Sequence, residues 1–363
     1  MSSRIVVFGA TGYTGRLVAE RLVARGERPV LAGRDERRLA ELSERLDGLE
    51  TVKADAMRRN SVFAAVGPGD VLISTVGPFA KWGDAAVRAA IAASGAVYLD
   101  STGEPVFIRR VFEELGAPAE RAGVTLMPAM GFDFVPGALA GALALRDAGP
   151  AATRVDVGYF SLGMGADGAS AGTRESLVGV TLGDNHAYRE GRVRTVRPAE
   201  RVRSFTVAGR GREAISVGGA EHFALPSAYP GVREVNVYLG WFGPLARPLQ
   251  AGSLVGEIIR RISGAQSVMR MTGERVLGLA SGPEAGTTPG GRSWIAAEAY
   301  DGAGRQLSEV HLAGVDGYEF TASFMAWAAQ QPVTGSGALG PVAAYGLERL
   351  QEGARLAGLD RVP

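Results

Sequence analysis

The chain has 363 residues, 46% of them hydrophobic and 21% charged, with a formal net charge of +1. This length suits two globular domains, and so small a charge provides no global field that would favour nucleic acid or a membrane surface. Cysteine is absent, which excludes disulfides, thiolate nucleophiles and cysteine-bound metals, and the three histidines are too scattered for a metal site. No apolar run reaches the roughly 18 residues of a membrane helix, and the N-terminus runs straight into a predicted strand. We therefore expect a cytoplasmic protein with no membrane span.

The first part of the chain alternates apolar strands with helices. Strands are predicted at "RIVVFGA", "RPVLAG", "TVKAD", "DVLISTVG", "AVYLDSTG" and "GVTLMPAM". Helices are predicted at "GRLVAERLVARG", "DERRLAELSERL" and "GDAAVRAAIAASG". Apolar strands separated by helices predict an α/β fold, a Rossmann doubly wound parallel sheet, over residues 1–130.

After about residue 150 the predicted strands follow one another with fewer helices between them. They are "TRVDVGYFSLG", "RVRTVR", "VRSFTVAG", "REVNVYLGWFG", "SWIAAEAYD" and "QLSEVHLAG". This pattern predicts an α+β substrate domain with a mainly antiparallel sheet over 131–330. Glycine-rich loops are expected at 161–172 and 281–291, and a C-terminal helix within 331–363 returns to the first domain.

The stretch "GATGYTG", at 9–15, joins the first predicted strand to the first helix. Gly9 permits the sharp turn, Gly12 leaves room for a pyrophosphate, and Gly15 lets the helix pack closely on the strand. The helix N-terminus then offers N–H groups and a partial positive charge to the phosphates. This context predicts a dinucleotide-binding loop, and the alternative is a glycine-rich turn with no ligand.

The end of the second strand, "AGRD", selects the cofactor. An NAD site usually has an acidic residue here, whereas Arg34 precedes Asp35 and can pair with a 2′-phosphate. We therefore predict NADP(H). The alternative is that Arg34 is a surface residue and Asp35 caps the next helix.

The remaining predicted cofactor contacts follow from strand ends. "ADAM" ends the third strand beside the adenine, and "STVGPF" ends the fourth strand under the nicotinamide ribose. The predicted cofactor-binding residues are Gly9, Ala10, Thr11, Gly12, Tyr13, Thr14, Gly15, Arg34, Asp55, Ala56, Thr75, Val76, Gly77, Pro78 and Phe79.

Short-chain reductases share a similar glycine motif but use a Tyr-x-x-x-Lys pair, which this chain lacks because its only lysines are Lys53 and Lys81. The sequence instead resembles the saccharopine dehydrogenase-like NAD(P)-binding oxidoreductases, including the trans-acting enoyl reductase branch. The resemblance covers nearly the whole chain in family order, in "GATGYTG", "AGR", "STVGPF", "GDAAVRAAIAASGAVYLDSTGE", "MGFDFVPGALA", "SAGTRESLVG", "GYEFTASFMAWAA" and "GPVAAYG". It implies a Rossmann domain with an inserted α+β domain, an NAD(P) cofactor and a homodimer built on the second domain's sheet.

Four residues are candidates for the catalytic proton chemistry. Lys81 follows "VGPFA" at the predicted nicotinamide pocket, with a solvated loop lysine as the alternative. Asp133, in "GFDF", lies past the sixth strand and either orients substrate or caps the following helix. Tyr13 either packs over the pyrophosphate or reaches substrate, and His186, beside Tyr188, is either a proton donor or a structural histidine.

Several further groups are weaker candidates for ligand contacts. Asp100 and Glu104 end the fifth strand and could bind ribose or a substrate amine, with helix capping by Ser101 or Thr102 as the alternative. Gly172 and Thr173 resemble an anion-binding helix start. The arginine-rich stretch 189–212 is either a solvated sheet face or a docking face for an acidic carrier protein.

Three functions remain open at the level of sequence. The first is an NADPH-dependent reductase of an activated C=C, C=N or C=O bond in a small or acyl-derived metabolite, with preference for C=C. The second is an imine reductase that joins an amine to a keto acid. The third is a dinucleotide-bound protein without redox turnover, such as a cyclase or sensor, because a glycine loop alone does not separate these classes.

Overall fold

The computed structural model describes residues 3–162, 185–260 and 291–363. In chain order, its strands are β1 Ile5–Phe8, β2 Val30–Gly33, β3 Thr51–Lys53, β4 Val71–Ser74, β5 Val97–Asp100, β6 Thr125–Met127, β7 Arg154–Leu162, β8 Asn185–Arg189, β9 Arg192–Val196, β10 Val202–Val207, β11 Arg210–Val217, β12 Glu234–Leu239, β13 Arg292–Tyr300, β14 Gln306–Gly314, β15 Gly337–Ala338 and β16 Leu359–Val362. Its α-helices are α1 Tyr13–Ala24, α2 Glu36–Arg45, α3 Arg59–Ala65, α4 Phe79–Ala92, α5 Pro105–Arg110, α6 Gly116–Arg121, α7 Val135–Ala148, α8 Glu221–Ala228, α9 Ala246–Arg260, α10 Gly317–Ala328, α11 Pro341–Tyr345 and α12 Leu347–Leu356.

Seven parallel strands form one sheet in the order β15-β6-β5-β4-β1-β2-β3. All the strands predicted for the first part of the chain are present, and β15 joins the sheet from the C-terminal part. The direction of strand order reverses between β1 and β4, as it does in a doubly wound Rossmann sheet. The predicted fold class is therefore confirmed, and the reversal defines where a crevice opens at the carboxyl edge of the sheet.

One hydrophobic core lies between this sheet and a layer formed by α3, α4 and the helical stretch from α5 to α6. Small residues let this layer approach closely. A Cβ at Gly83 of α4 would lie 2.5 Å from Cζ of Phe107, so a larger residue would push α4 away from the fully buried Phe107 ring. Alanines elsewhere on α4 are buried in the same core, which fixes the helix that follows β4.

The start of α4 differs from the sequence prediction. The helix begins at Phe79 rather than at Gly83, because Pro78 supplies its N-cap and the Phe79 ring packs on Phe107 with centroids 5.7 Å apart. Lys81 therefore lies in the first helical turn and not in a loop.

A second, mixed sheet has nine strands, with the path β10-β11-β12-β7-β13-β14-β16 and with β8 pairing to β12 and β9. The strand pairs described in this sheet are antiparallel except β7 with β12, which confirms the predicted mainly antiparallel sheet. The sequence prediction missed β8 and β11, because β8 is short and polar and β11 begins with charged residues. Rings of Phe160, Phe205 and Tyr238 pack against one another in the core of this sheet.

The described chain forms two compact units. The first comprises Met1–Thr102, Phe107–Val135 and Gly317–Leu359, and the second comprises Gly103–Val106, Pro136–Asp316 and Asp360–Pro363. The segment that rejoins the first unit thus begins at Gly317, where α10 packs on α1. Separate folding of 1–130, 131–330 and 331–363 stays a prediction, and the expected glycine-rich loops lie almost wholly outside the described residues.

Replacement of Gly15 by alanine tests the close packing of β1 and α1. We expect G15A to lower the free energy of unfolding by about 1–3 kcal/mol, because its Cβ would lie 2.2 Å from the Gly9 carbonyl oxygen. Thermal unfolding of the full chain measures this change. G252A is the matched control, since a Cβ at Gly252 meets nothing within 4 Å; equal melting temperatures for the two variants would contradict the packing argument.

Candidate functional site

The glycine loop lies where the order of strands reverses. Gly9 has a φ of +89°, and a Cβ there would lie 2.7 Å from Oγ1 of Thr75. A Cβ at Gly15 would meet the same hydroxyl at 2.7 Å. Thr75 in turn donates to the carbonyls of Phe8 and Gly9, at 3.2 and 3.3 Å. The end of β4 thus holds the turn after β1, and two of its three glycines are required by protein packing alone.

Gly12 differs from the other two glycines of the loop. It is exposed, and the only atom near a Cβ built there is the Gly9 carbonyl oxygen, at 3.2 Å. Packing within the chain therefore restricts this glycine less than the other two, and its exposed backbone allows close approach of a ligand. The loop precedes α1, whose first N–H groups have no intrahelical acceptor. These features fit a pyrophosphate at the N-terminus of α1.

The end of β2 and the start of α2 present two arginines that have no acidic partner among the described residues. Arg34 is exposed, and no hydrogen bond or ion pair to its side chain occurs within the described residues. Arg38, one helical turn later, donates to the carbonyl of Thr11 in the glycine loop at 3.3 Å. Arg38 was not predicted from the sequence, although it lies in the first turn of the helix that follows Arg34.

Other charged side chains near the end of β2 already form hydrogen bonds or ion pairs within the protein. Asp35 accepts from the backbone N–H of Arg38 at 3.1 Å, so it caps α2 as the alternative prediction had it. Arg37 pairs with Glu41 at 2.9 Å, and Lys53 pairs with Glu36. The cations left for an added anion are Arg34 and Arg38.

The predicted adenine residues follow β3. The Asp55 carboxylate accepts from the N–H of Met57 at 3.0 Å, and the Asp55 N–H donates to Ser61 at 2.9 Å. Asp55 therefore stabilises the turn that presents Ala56 and Met57. Met57 is 72% exposed, an unusual position for a large apolar side chain next to a predicted base site.

The residues after β4 divide between the core and the surface. Thr75 and Val76 are half-buried beside the glycine loop, Gly77 is exposed, and the Phe79 side chain is buried in the core. Only the backbone of Phe79 is left for the predicted contact with cofactor. Lys81 is exposed, with Nζ 4.6 Å from the Trp82 ring centroid, which agrees with the alternative of a solvated lysine.

The loop after β6 is fastened to the end of β5. Asp100 is fully buried, and its Oδ1 accepts from the N–H groups of Thr102 and Ala129, both at 2.9 Å. The Met130 N–H donates to the Asp100 carbonyl at 2.7 Å. The structure gives Asp100 a role in holding these loops, and Glu104 is buried in the second unit.

Asp133 lies in the turn that this loop forms before α7. Its Oδ1 is buried and has no hydrogen-bond partner, and among the described residues no backbone N–H donates to its side chain. Capping of α7 by Asp133 is therefore not seen. Burial raises the pKa of Asp133 to about 7, so the carboxyl holds a proton through part of the neutral range.

The ends of the central strands place these groups along one edge. Phe8, Ser74 and Asp100 are aligned in register across β1, β4 and β5, and the Asp133 loop follows the next strand, β6. Adjacent strands lie about 4.8 Å apart, so the ends of β4 and β6 are separated by roughly 10 Å. Asp133 thus lies in a loop that leaves the carboxyl edge of the sheet, where a dinucleotide binds in this fold class.

The Tyr13 ring meets Tyr318 of α10 edge-on, with centroids 5.0 Å apart. Tyr13 is half-buried, which agrees with packing beside the glycine loop. A salt bridge between Arg21 and Glu319 joins the same two helices. These contacts support the packing alternative for Tyr13 over the catalytic one.

His186 belongs to the second unit, where it is 2% exposed. Its ring packs on His222 and Phe223, and Nε2 lies 3.0 Å from the Gly219 carbonyl oxygen. Burial and the neighbouring charge of His186 hold the pKa of His222 well below its usual value. This environment supports the structural alternative for His186, while Tyr188 is half-buried beside it in β8.

The arginine-rich stretch is largely neutralised within its own sheet. Arg189 pairs with Glu200, Arg201 pairs with Glu234 at 2.8 Å, and Arg203 pairs with Asp156 and Glu298. The inner arginines therefore do not form a free basic face. Gly172 and Thr173 lie outside the described residues.

Among residues 3–162, 185–260 and 291–363, no group of three His, Asp or Glu side chains could hold a metal ion. No helix in these ranges is both long and apolar enough to cross a membrane.

The pKa of Asp133 predicts a pH-dependent contribution to stability. An ordinary aspartate titrates near 4, so between about pH 4 and pH 7 the folded state binds a proton that the unfolded chain has lost. This contribution is complete below the lower value and is lost as pH rises through 7. We expect D133N to remove it, so that the stability of the variant relative to wild type rises between pH 5 and pH 8, by about 2–3 kcal/mol. Urea unfolding across this range measures the difference, and parallel pH profiles for the two proteins would contradict it.

Comparisons with known proteins agree with this site. Residues 9–98 match the model of a family described as NAD(P)H-binding. A putative trans-acting enoyl reductase of Mycobacterium tuberculosis is 38% identical over 138 residues, which are 36% of this chain and 33% of the relative. A lipid droplet localized protein of Caenorhabditis elegans is 31% identical over 144 residues, 36% of this chain and 34% of that protein. The chain thus spans about a third of the length of these relatives.

A solved structure extends the likeness of fold over the whole chain. The apo saccharopine dehydrogenase (L-Glu forming) of Saccharomyces cerevisiae superposes with a TM-score of 0.59 at 13% identity, covering 99% of this chain and 100% of that one. At this identity the likeness concerns the fold alone. The segment that matches the NAD(P)H-binding family contains the glycine loop, and the fold of the chain is similar to that of saccharopine dehydrogenase.

Proposed function

We propose that the chain is an NADP(H)-dependent reductase of an activated double bond, with C=C preferred over C=N and C=O, in a small or acyl-derived metabolite. The observation that carries the proposal is Asp133, a half-buried residue along the cofactor edge of the sheet whose Oδ1 is buried without a hydrogen-bond partner and whose pKa is raised to about 7. Reduction of such a bond adds one hydride and one proton. A carboxyl that is partly protonated at neutral pH is suited to deliver the proton.

The choice of cofactor rests on Arg34 and Arg38. A 2′-phosphate carries about two negative charges, and a guanidinium binds it through two parallel hydrogen bonds. Arg34 and Arg38 have no acidic partner, whereas Arg37 and Lys53 do. The one carboxylate in the position that would hold a ribose 2′-OH, Asp35, caps α2. This distribution supports NADP(H) rather than NAD(H).

The chain's own residues have separable roles in this reaction. Gly12 and the N-terminus of α1 would hold the pyrophosphate, and Thr75 fixes the loop that carries them. The dinucleotide, when bound, supplies a hydride. For an α,β-unsaturated carbonyl the hydride goes to the β-carbon, and the Asp133 carboxyl gives its proton to the α-carbon and becomes a carboxylate. Lys81 and His186 have no part in this step. A carrier-protein partner, a homodimer and a cytoplasmic location stay predictions.

Substitution of the two arginines tests the cofactor. We expect R34A and R38A to weaken NADPH binding by about 10–100-fold each, because each removes a charge-assisted contact, and to change NADH binding by less than about 3-fold. Titration of the purified protein, followed by nicotinamide fluorescence, measures both constants. R37A is the matched control, since Arg37 is on the same helix but paired with Glu41. Equal NADPH and NADH affinities in the wild type would refute the proposed preference.

Turnover tests the reaction. We expect the wild type to oxidise NADPH when given crotonyl-coenzyme A or 2-cyclohexenone faster than when given a cyclic imine or a simple ketone. D133N should lower kcat by about 100–10,000-fold with little change in NADPH affinity, because it removes the general acid. Activity only with an amine and a keto acid together would favour imine reduction. Tight NADPH binding without NADPH oxidation in the presence of any of these substrates would favour the non-redox alternative.

A further inference from the structure

The hydroxyl of Thr321 holds the turn that carries Asp133. Its Oγ1 accepts from the backbone N–H of Phe132 at 2.9 Å and donates to the Gly317 carbonyl at 2.6 Å. Thr321 is 7% exposed, and Phe132 immediately precedes Asp133. One hydroxyl therefore links the first turn of α10 to the Asp133 turn, although the two are far apart in the sequence.

The surrounding packing leaves this link little freedom. A Cβ at Gly131 would lie 3.0 Å from Cγ2 of Thr321, so the turn approaches α10 more closely than a side chain would allow. A Cβ at Gly317 would lie 3.1 Å from the Phe132 ring. Phe132 also meets the Phe320 ring edge-on, at 6.2 Å. The residues on the N-terminal side of Asp133 are thus held by α10 on both backbone and side chain.

The same helical turn touches the glycine loop. Tyr318, three residues before Thr321, packs edge-on against Tyr13 at 5.0 Å. The first turn of α10 therefore contacts both the predicted pyrophosphate loop and the turn that carries the acid. Such a shared contact is how two parts of a site keep a fixed relative position.

We propose that Thr321 is a positioning residue, which fixes the Asp133 carboxyl in its buried position and in register with the glycine loop. The proposal rests on the proposed role of Asp133 as the proton donor. Valine matches threonine in shape but lacks the hydroxyl, so T321V leaves the buried Phe132 N–H without its acceptor. The turn relieves this by moving, and Asp133 then gains access to water. Serine keeps both hydrogen bonds.

The readout is the titration of Asp133 in the cofactor-free full chain. Burial is the one cause of the raised pKa of Asp133, with no contribution from a charged group among the described residues. Carbon-13 NMR of aspartate carboxyls, assigned with D133N, follows this titration directly. We expect a midpoint near pH 7 for wild type and T321S, and a fall of about 1 unit or more in T321V as the carboxyl becomes hydrated. S323A, which removes another hydroxyl from α10, is the matched control and should titrate as wild type.

Kinetics provide a second readout. T321V should lower kcat for the best acceptor by about 10-fold or more, while KM and the NADPH dissociation constant change by less than about 3-fold. T321S should recover most of the lost kcat. A titration of Asp133 in T321V that matches wild type, or a T321S protein as defective as T321V, would overturn the positioning role.

Failure of the proposed function gives a different result. A shifted Asp133 titration in T321V, with no acceptor reduced by the wild type, would leave the positioning role intact and remove the reductase. If T321V does not fold, hydrogen exchange of the Phe132 amide tests the link made by the Thr321 hydroxyl. Slow exchange in both wild type and T321S supports the hydroxyl link, and fast exchange in wild type overturns it.

Discussion

The close approach of α1 to the end of β1 is the contact on which the candidate site depends. Gly15 lies so near the Gly9 carbonyl that any side chain would displace the helix. Thr75 closes the same junction from β4, with its hydroxyl shared between the Phe8 and Gly9 carbonyls. The N-terminus of α1 is therefore aimed along the crevice by contacts within the protein, before any ligand binds. A preformed site of this kind binds without the entropic cost of ordering a loop.

Two carboxyls along the same edge have different surroundings. Asp100 accepts two backbone N–H groups through one oxygen and fastens the loops after β5 and β6. Asp133, at the end of the second loop, has a buried oxygen with no partner and a pKa of about 7. Pairs of acids in contrasting environments are how a protein obtains a structural group and a proton donor from the same residue type.

Much of the first unit could be predicted from the sequence, because its signals are local. The glycine spacing, the apolar strands and the Asp35 cap each act within a few residues of their position. Contacts across long stretches of chain could not be predicted. In the sequence, Thr321 is only a polar residue within a mostly apolar helix, and its contact with Phe132 forms only when the chain folds. The prediction that Lys81 lies in a loop was wrong. Pro78 can precede a helix as well as a loop, and the packing of the buried Phe79 ring on Phe107 favours the helix.

Arginine has different roles in the two units because its neighbours differ. In the second unit, Arg203 lies on a strand and pairs with the buried Asp156, and Arg201 pairs with the half-buried Glu234. At the end of β2 the acids are engaged by other groups, and Arg34 and Arg38 are left without an acidic partner. A sequence rich in arginine therefore does not by itself indicate an anion site. What does indicate one is an arginine whose nearest carboxylates are bound elsewhere, beside a backbone turn that leaves space for a ligand at Gly12.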